Sequence, residues 1–123
     1  MHLGVLLMFI GVDCEEIERF GFVNETFIEH VFSNEEISYC TSKKNPAEHF
    51  AARFAAKEAV VKALGQAGIT ESVELREISI RNTPEGVPEI IFLNGLSEAY
   101  NCRLSLAHSG NMAIAFVLLI PKH

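Results

Sequence analysis

The segment from Arg53 to Gly65, RFAAKEAVVKALG, most constrains how this chain of 123 residues can fold. It is rich in alanine and contains no proline, so it predicts a long helix with a largely apolar surface. Four ionisable side chains interrupt that surface: Arg53, Lys57, Glu58 and Lys62. Charges in an apolar helix cost solvation free energy unless water, a partner or a ligand compensates them. The pattern therefore indicates that this helix borders a polar site.

Glu58 and Lys62 are four residues apart, so their side chains lie on the same face of the predicted helix. One interpretation is an ordinary surface ion pair, which contributes about 0.3–0.5 kcal/mol. However, Phe54 and Val61 fall on the same side of a 3.6-residue wheel, so the two charges border the apolar face. The residues alone leave both the ion pair and a functional role open.

Asp13 follows the apolar run Phe9–Val12, which places a carboxylate at the end of a predicted buried strand over 6–12. A side chain there can cap the next helix, and it can equally face a ligand. Together with Glu58 it would supply a pair of carboxylates for a divalent metal, beside Lys62 for a phosphate group.

Composition and charge favour one globular domain over residues 1–123, with 49% hydrophobic residues and a net charge of −6. Residues 1–42 contain eight acids and one base, whereas residues 43–62 carry a local charge of +3. The overall acidity argues against nonspecific nucleic-acid binding, and the basic stretch suits a small polyphosphate. Three scattered cysteines indicate reduced thiols in a cytoplasmic protein, and the apolar N-terminal run is too short to span a membrane.

The periodicity and the turn signals predict an α+β class, with short N-terminal helices and a long central helix packed on a largely antiparallel sheet. Predicted helices cover about 14–20, 25–31 (after Asn24), 34–39 (after Ser33), 46–65 (after Asn45) and 96–101. Predicted strands cover 6–12, 73–81, 87–93, 102–107 and 112–120.

His108 is predicted to lie in the turn that follows the strand over 102–107. A histidine there is either solvated or functional, and the residues alone do not decide. The Gly-rich phosphate motifs and the GxSxG elbow of hydrolases do not occur in the sequence. Any phosphate binding must therefore come from lysine, arginine, histidine and a metal.

These residues resemble a known family, the holo-acyl-carrier-protein synthase type of 4′-phosphopantetheinyl transferase. The ordered series of matches is more specific than any single motif. It consists of Gly11–Asp13, Ile17 with Arg19, Phe32–Glu36, Arg53–Ala59, Lys62–Gly65, Gly86–Pro88 and Ser105–His108.

The resemblance implies transfer of the phosphopantetheine arm of coenzyme A to a serine of an apo acyl carrier protein in fatty acid biosynthesis, releasing adenosine 3′,5′-bisphosphate. It implies Mg²⁺ held by Asp13 and Glu58, with Glu58 and Lys62 as catalytic residues. Coenzyme A would be bound by Arg53, Lys62, Gly65, Pro88 and His108. It further implies a homotrimer with coenzyme A between subunits, and carrier docking at Arg19 and Phe22.

The chain departs from the family pattern at two places. The first helix is commonly basic in the family, but here Arg19 is surrounded by glutamates, so either the carrier is less acidic or docking uses Arg19, Lys43, Lys44 and Phe22. Ala107 replaces the second serine of a Ser-x-Ser-His motif.

An alternative function is a non-catalytic module that binds coenzyme A or a carrier protein. An unrelated Mg²⁺-dependent nucleotide hydrolase is a third.

Overall fold

The computed structural model describes residues 7–69 and 71–122, and these form an α+β fold. In chain order the main elements are β1 Phe9–Glu16, α1 Glu25–Val31, α2 Asn34–Thr41, α3 Pro46–Gln66, β2 Ile78–Asn82, β3 Pro88–Phe92, β4 Tyr100–Ser109 and β5 Met112–Pro121. Short 3-10 helices occupy Ile17–Gly21, Leu75–Glu77 and Leu96–Glu98. The predicted class is confirmed. Within these residues, no helix is both long and apolar enough to cross a bilayer.

The strands form two antiparallel sheets rather than one. The larger sheet has the order β1-β5-β4, and β2 pairs with β3 in a separate hairpin. The turn of this hairpin needs Gly86, whose φ of 84° favours glycine. In the larger sheet, Asp13 lies opposite Ala115 and Glu15 lies opposite Ala113. Because side chains alternate along a strand, both acids share one face of β1 with Gly11.

The alanines of α3 let the larger sheet approach this helix closely. Ala55, Ala59 and Ala63 are completely buried and pack with the inward residues of β5. Gly11 lies directly against them, because a Cβ at this position would be 1.8 Å from the Ala59 carbonyl oxygen. The prediction of a long central helix is confirmed, and its small side chains explain how β1 comes to lie beside Glu58 and Lys62.

The N-terminal helices begin largely as predicted. Asn24 caps α1 by accepting a hydrogen bond from the Phe27 amide over 2.8 Å. Ser33 and Glu36 form a reciprocal capping box at the start of α2. Asn45 precedes α3 but its side chain does not cap the helix. Its Nδ2 instead donates to Glu48 Oε2 over 3.3 Å.

Several predicted boundaries are wrong. Residues 14–16 continue β1 instead of starting a helix, because each finds a partner on β5. The strand predicted to start at 73 begins only at Ile78, after a 3-10 turn. The helix predicted over 96–101 is also a 3-10 turn, and β4 starts at Tyr100. The start of the first predicted strand, residue 6, lies outside the described residues.

Lys57 has a structural role. Its ammonium group is fully buried and donates to Glu36 Oε1 over 2.7 Å and to the Leu75 carbonyl over 2.9 Å. The second carboxylate oxygen of Glu36 accepts from the Ile80 amide over 3.0 Å. Burial lowers the pKa of Lys57, and Glu36 opposes that shift. A buried charge pair of this kind is tolerable because its polar atoms are hydrogen-bonded, and it ties α2, α3 and β2 together.

Candidate active site

Asp13 and Lys62 are in direct contact. Lys62 Nζ donates to Asp13 Oδ1 over 3.0 Å and to the Val12 carbonyl over 3.0 Å. Asp13 was predicted at the end of a strand or at a helix N-cap, but it lies in the middle of β1. Lys62 was considered as a partner of Glu58, but its ion pair is with Asp13. The contact therefore joins β1 to α3 across 49 residues of sequence.

Glu58 completes a group of three charged residues with Asp13 and Lys62, called the acidic cluster below. Burial raises the pKa of Glu58, and the nearby Asp13 carboxylate raises it further, whereas Lys62 lowers it. The hydrogen bond to Asp13 is the main reason that the pKa of Lys62 is raised. The sequence prediction that these three residues lie together is thus met by the structure. Their chemical roles stay predictions.

The acidic cluster has the donor atoms that a hard divalent cation requires. Asp13 Oδ2 is buried and has no hydrogen-bond partner among residues 7–69 and 71–122. Such an atom is costly unless a cation or a proton satisfies it. The same part of the chain contains no group of three or more His, Cys, Asp or Glu side chains arranged to hold a metal. The carboxylate oxygens of Asp13 and Glu58 are hard donors, so these two residues fit Mg²⁺ with incomplete protein coordination, which is how this ion commonly binds beside substrate phosphates.

Glu15 is a further acid beside the cluster that the sequence analysis missed. Its side chain is only 11% exposed, and Arg19 Nη1 lies 3.5 Å from its Oε1. Burial and the neighbouring Asp13 carboxylate, with the charge of Glu58, raise the pKa of Glu15 to about 7, against the opposing effect of Arg19. The missed signal was the two-residue spacing from Asp13, which matters only if β1 extends beyond Val12.

A cavity of about 300 Å³ lies at the other end of α3 and is called the Arg53 cavity below. Its lining includes three residues predicted to bind coenzyme A, namely Arg53, Pro88 and His108. The remaining lining residues are Tyr39, Glu48, His49, Ala52, Asn82, Gly86, Leu106 and Ala107. His108 lies within β4 rather than in the turn predicted for it.

Arg53 is only 3% exposed, and contacts with Tyr39 and Asn82 orient its guanidinium group in this cavity. Its guanidinium carbon lies 4.1 Å from the centre of the Tyr39 ring, and Nη2 donates to Asn82 Oδ1 over 3.1 Å. Asn82 in turn donates to the Tyr39 hydroxyl over 3.1 Å. Arg53 Nε is buried and lacks a partner within the described part of the chain. A pre-oriented guanidinium with a spare donor suits recognition of a phosphate group.

Neighbouring side chains also orient the two histidines of the Arg53 cavity. His108 Nε2 lies 3.1 Å from Glu48 Oε1. The His49 ring packs edge-on against Tyr39, and burial followed by the charge of Arg53 lowers its pKa. Sequence reasoning missed Tyr39, Glu48, His49 and Asn82 as neighbours of the predicted residues. His49 lies four residues before Arg53 on α3, a helical spacing that could have found it. No local pattern links Arg53 to Tyr39 and Asn82, because these come from α2 and β2.

The acidic cluster and the Arg53 cavity are separate within one chain. Asp13, Glu58 and Lys62 do not line the cavity. Gly65, predicted to line the nucleotide pocket, is exposed near the end of α3 and is also absent from the cavity lining. Arg19 and Phe22 lie at the 3-10 helix that follows β1, with Phe22 89% exposed.

Comparison with known proteins gives one consistent result. Residues 9–117 match the family model described as the 4′-phosphopantetheinyl transferase superfamily. A holo-[acyl-carrier-protein] synthase from Geotalea daltonii is 41% identical over 119 residues, covering 89% of this chain and 94% of the relative. One from Cytophaga hutchinsonii is 43% identical over 120 residues, with the same two coverages. The solved Chronobacterium ammoniagenes ACPS–CoA complex is similar with a TM-score of 0.81 at 27% identity, covering 95% of this chain and 99% of that one.

Proposed function

This chain belongs to the 4′-phosphopantetheinyl transferase superfamily, and we propose that it acts as a holo-[acyl-carrier-protein] synthase. It transfers 4′-phosphopantetheine from coenzyme A to a serine of an apo acyl carrier protein and releases adenosine 3′,5′-bisphosphate. The match to synthases of this name extends over 89% of the chain. The structural observation that carries the proposal is the buried, unpartnered Asp13 Oδ2 beside Glu58 and Lys62.

The reaction forms one bond and breaks another. The serine Oγ attacks the coenzyme A phosphorus that bears the pantetheine, a new O–P bond forms, and the diphosphate P–O bond on the nucleotide side breaks. The nucleotide leaves with the bonding electron pair, so negative charge accumulates on its phosphate. Lys62 is well placed to offset that charge, because its side chain is 55% exposed and already faces Asp13.

Glu58 is the residue that we assign to take the serine proton. Its carboxylate is partly buried and its pKa is raised, first by burial and then by Asp13. A carboxylate at this position can accept the proton as the new O–P bond forms. Asp13 and Glu58 would together hold Mg²⁺, which when bound polarises the transferred phosphate and neutralises part of the diphosphate charge.

We assign the Arg53 cavity to the nucleotide part of coenzyme A. The unpartnered Arg53 Nε and the imidazole of His108 supply donors for phosphate oxygens. Pro88 lines the same cavity. Gly65 does not line this cavity. Its predicted contact with the nucleotide therefore requires coenzyme A that is bound in the Arg53 cavity of a neighbouring subunit.

A homotrimer with coenzyme A between subunits follows as part of the proposal. The outer face of the β1–β5 pair carries exposed apolar side chains, including Ile10, Val12 and Phe116, with exposed fractions of 50%, 55% and 45%. Val12 and Phe116 are direct neighbours across the ladder. Apolar patches of this kind commonly mark interfaces. Covering this patch with another copy of the chain would also allow an acidic cluster and an Arg53 cavity from different subunits to share one ligand.

The carrier protein is proposed to dock beside the acidic cluster. Arg19 is 65% exposed and Phe22 is 89% exposed, so a carrier can meet both a cation and an apolar side chain. We place the reaction in the cytoplasm and in fatty acid biosynthesis, with residues 1–123 forming a single transferase domain.

The proposal is tested by incubating the protein with coenzyme A, Mg²⁺ and an apo acyl carrier protein and weighing the carrier. We expect a mass gain of one phosphopantetheine that requires Mg²⁺ and the carrier serine. A carrier in which this serine is alanine is the matched control. Binding of coenzyme A without any product would support the non-catalytic module instead. Phosphate release without a carrier would support a nucleotide hydrolase.

A further inference from the structure

Glu15 lies between two parts of the proposed site, the acidic cluster and the docking residue Arg19. Strand alternation directs Glu15 and Asp13 to the same face of β1, opposite the buried alanines Ala113 and Ala115. The small alanine side chains leave space for both carboxylates against α3. Glu15 therefore lies on the same side of β1 as Asp13, whereas the sequence predicted it in a helix over 14–20.

The charges around Glu15 are poorly balanced. Its neighbours Asp13 and Glu58 are acids that act on it electrostatically. Its ion-pair partner is Arg19, at 3.5 Å, and the arginine side chain is 65% exposed. The arginine end of this pair is exposed to solvent, so an acidic group of a partner can compete with Glu15 for Arg19. Lys62 is already engaged by Asp13 and the Val12 carbonyl.

We propose that Glu15 is a positioning residue that couples cation binding at Asp13 and Glu58 to the state of Arg19. While Arg19 pairs with Glu15, it neutralises part of the negative charge at the cluster. When an acidic group of a carrier takes Arg19, the charge of Glu15 acts on the cluster without compensation, and a divalent cation binds more tightly. Because such coupling is reciprocal, a bound cation also strengthens carrier docking to the same extent. This inference rests on the metal and docking roles proposed above.

The test is a double-mutant cycle on cation affinity at pH 8, where the Glu15 carboxyl group is largely ionised, with Mn²⁺ as the probe and free Mn²⁺ measured by electron paramagnetic resonance. The four proteins are wild type, Arg19→Gln, Glu15→Gln and the double variant. Arg19→Gln imitates loss of the arginine to a carrier, and it should tighten Mn²⁺ binding at least about threefold. In the Glu15→Gln background the same change should alter the affinity by less than about 1.5-fold.

A matched control is the exposed pair Arg81 and Glu89, whose atoms lie 3.1 Å apart. Arg81→Gln removes the same charge at another surface ion pair and should leave Mn²⁺ affinity unchanged. Melting temperatures of all variants show whether each is folded, and a purely structural role of Glu15 would change them without the non-additive change in affinity.

Two outcomes overturn the inference while leaving the metal site intact. In the first, Arg19→Gln does not change the Mn²⁺ affinity. In the second, Arg19→Gln tightens Mn²⁺ binding equally with and without Glu15, which would mean that the charge of Arg19 acts directly on the acidic cluster. If wild type shows no saturable Mn²⁺ binding that Asp13→Ala removes, the metal assignment fails as well, and the inference fails with it.

Discussion

Gly11 and Ala59 are in backbone contact. A Cβ on Gly11 would lie 1.8 Å from the Ala59 carbonyl oxygen and 2.8 Å from its carbon. This contact lets β1 cross α3 closely enough for Asp13 to reach Lys62 over 3.0 Å. The position of the acidic cluster therefore depends on the missing side chain of a glycine.

Replacing Gly11 by alanine should separate β1 from α3. The new Cβ meets backbone atoms that cannot rotate away, so we expect a loss of about 1–3 kcal/mol in the free energy of unfolding. Mn²⁺ affinity should fall too, because Asp13 moves with β1. Urea denaturation measures the first effect. Gly21→Ala is the control, since a Cβ there meets no atom within 4 Å; equal stability of the two variants would contradict the account.

Replacing Arg53 by glutamine should weaken binding of adenosine 3′,5′-bisphosphate. The change removes a buried cation and its unpartnered Nε, so we expect at least about a tenfold loss of affinity in calorimetry. Arg103→Gln, at an exposed position on β4 outside the Arg53 cavity, is the control for loss of one positive charge. An unchanged affinity in Arg53→Gln would exclude the cavity as the nucleotide site.

The ionisation of Glu15 should make the metal-free protein less stable at higher pH. Its pKa is about 7 in the fold against an ordinary 4.5, so the folded form holds this proton more tightly than the unfolded chain. The stabilisation is complete below the ordinary value and is lost as pH rises through the folded value. Urea denaturation in EDTA from pH 5 to 8 should show this decline in wild type.

The control for the pH effect is Glu15→Gln, which cannot ionise. Its free energy of unfolding should fall less steeply than that of wild type over the same pH range. Parallel pH profiles for the two proteins would show that Glu15 is not the group responsible.

Replacing Phe116 by glutamate should dissociate the proposed trimer. The side chain is 45% exposed on the outer face of β5, so the monomer tolerates the charge, whereas a subunit interface does not. Light scattering after gel filtration should change from three subunits to one. Leu93→Glu, at a position 57% exposed outside the larger sheet, is the control. A wild-type mass for Phe116→Glu would contradict an interface on this face.

The sequence predicted those elements whose signals are local. The capping box of Ser33 and Glu36 and the alanine-rich run of α3 contain their own information, and both helices form nearly as predicted. Cys14 to Glu16 contain glutamates and precede apolar residues, which locally resembles a helix start. Their pairing with β5, about 100 residues later in the chain, overrides this local preference.

The same misplaced boundary explains why Glu15 was missed. With β1 ending at Val12, no face is shared by Asp13 and Glu15. The sequence could not predict the pairs Glu48–His108 and Arg53–Asn82 for another reason. Each joins residues from distant segments, and their contacts depend on how β4 and β2 pack against α3.

The rate of carrier modification by Glu58→Gln and Asp13→Ala tests the central claim most directly. Mass spectrometry follows the gain of phosphopantetheine with coenzyme A and Mg²⁺ present, and Glu89→Gln serves as the control for a lost surface acid. The account predicts at least about a 100-fold loss of rate for the two cluster variants, with melting temperatures showing that both remain folded. Wild-type rates in either folded variant would contradict it.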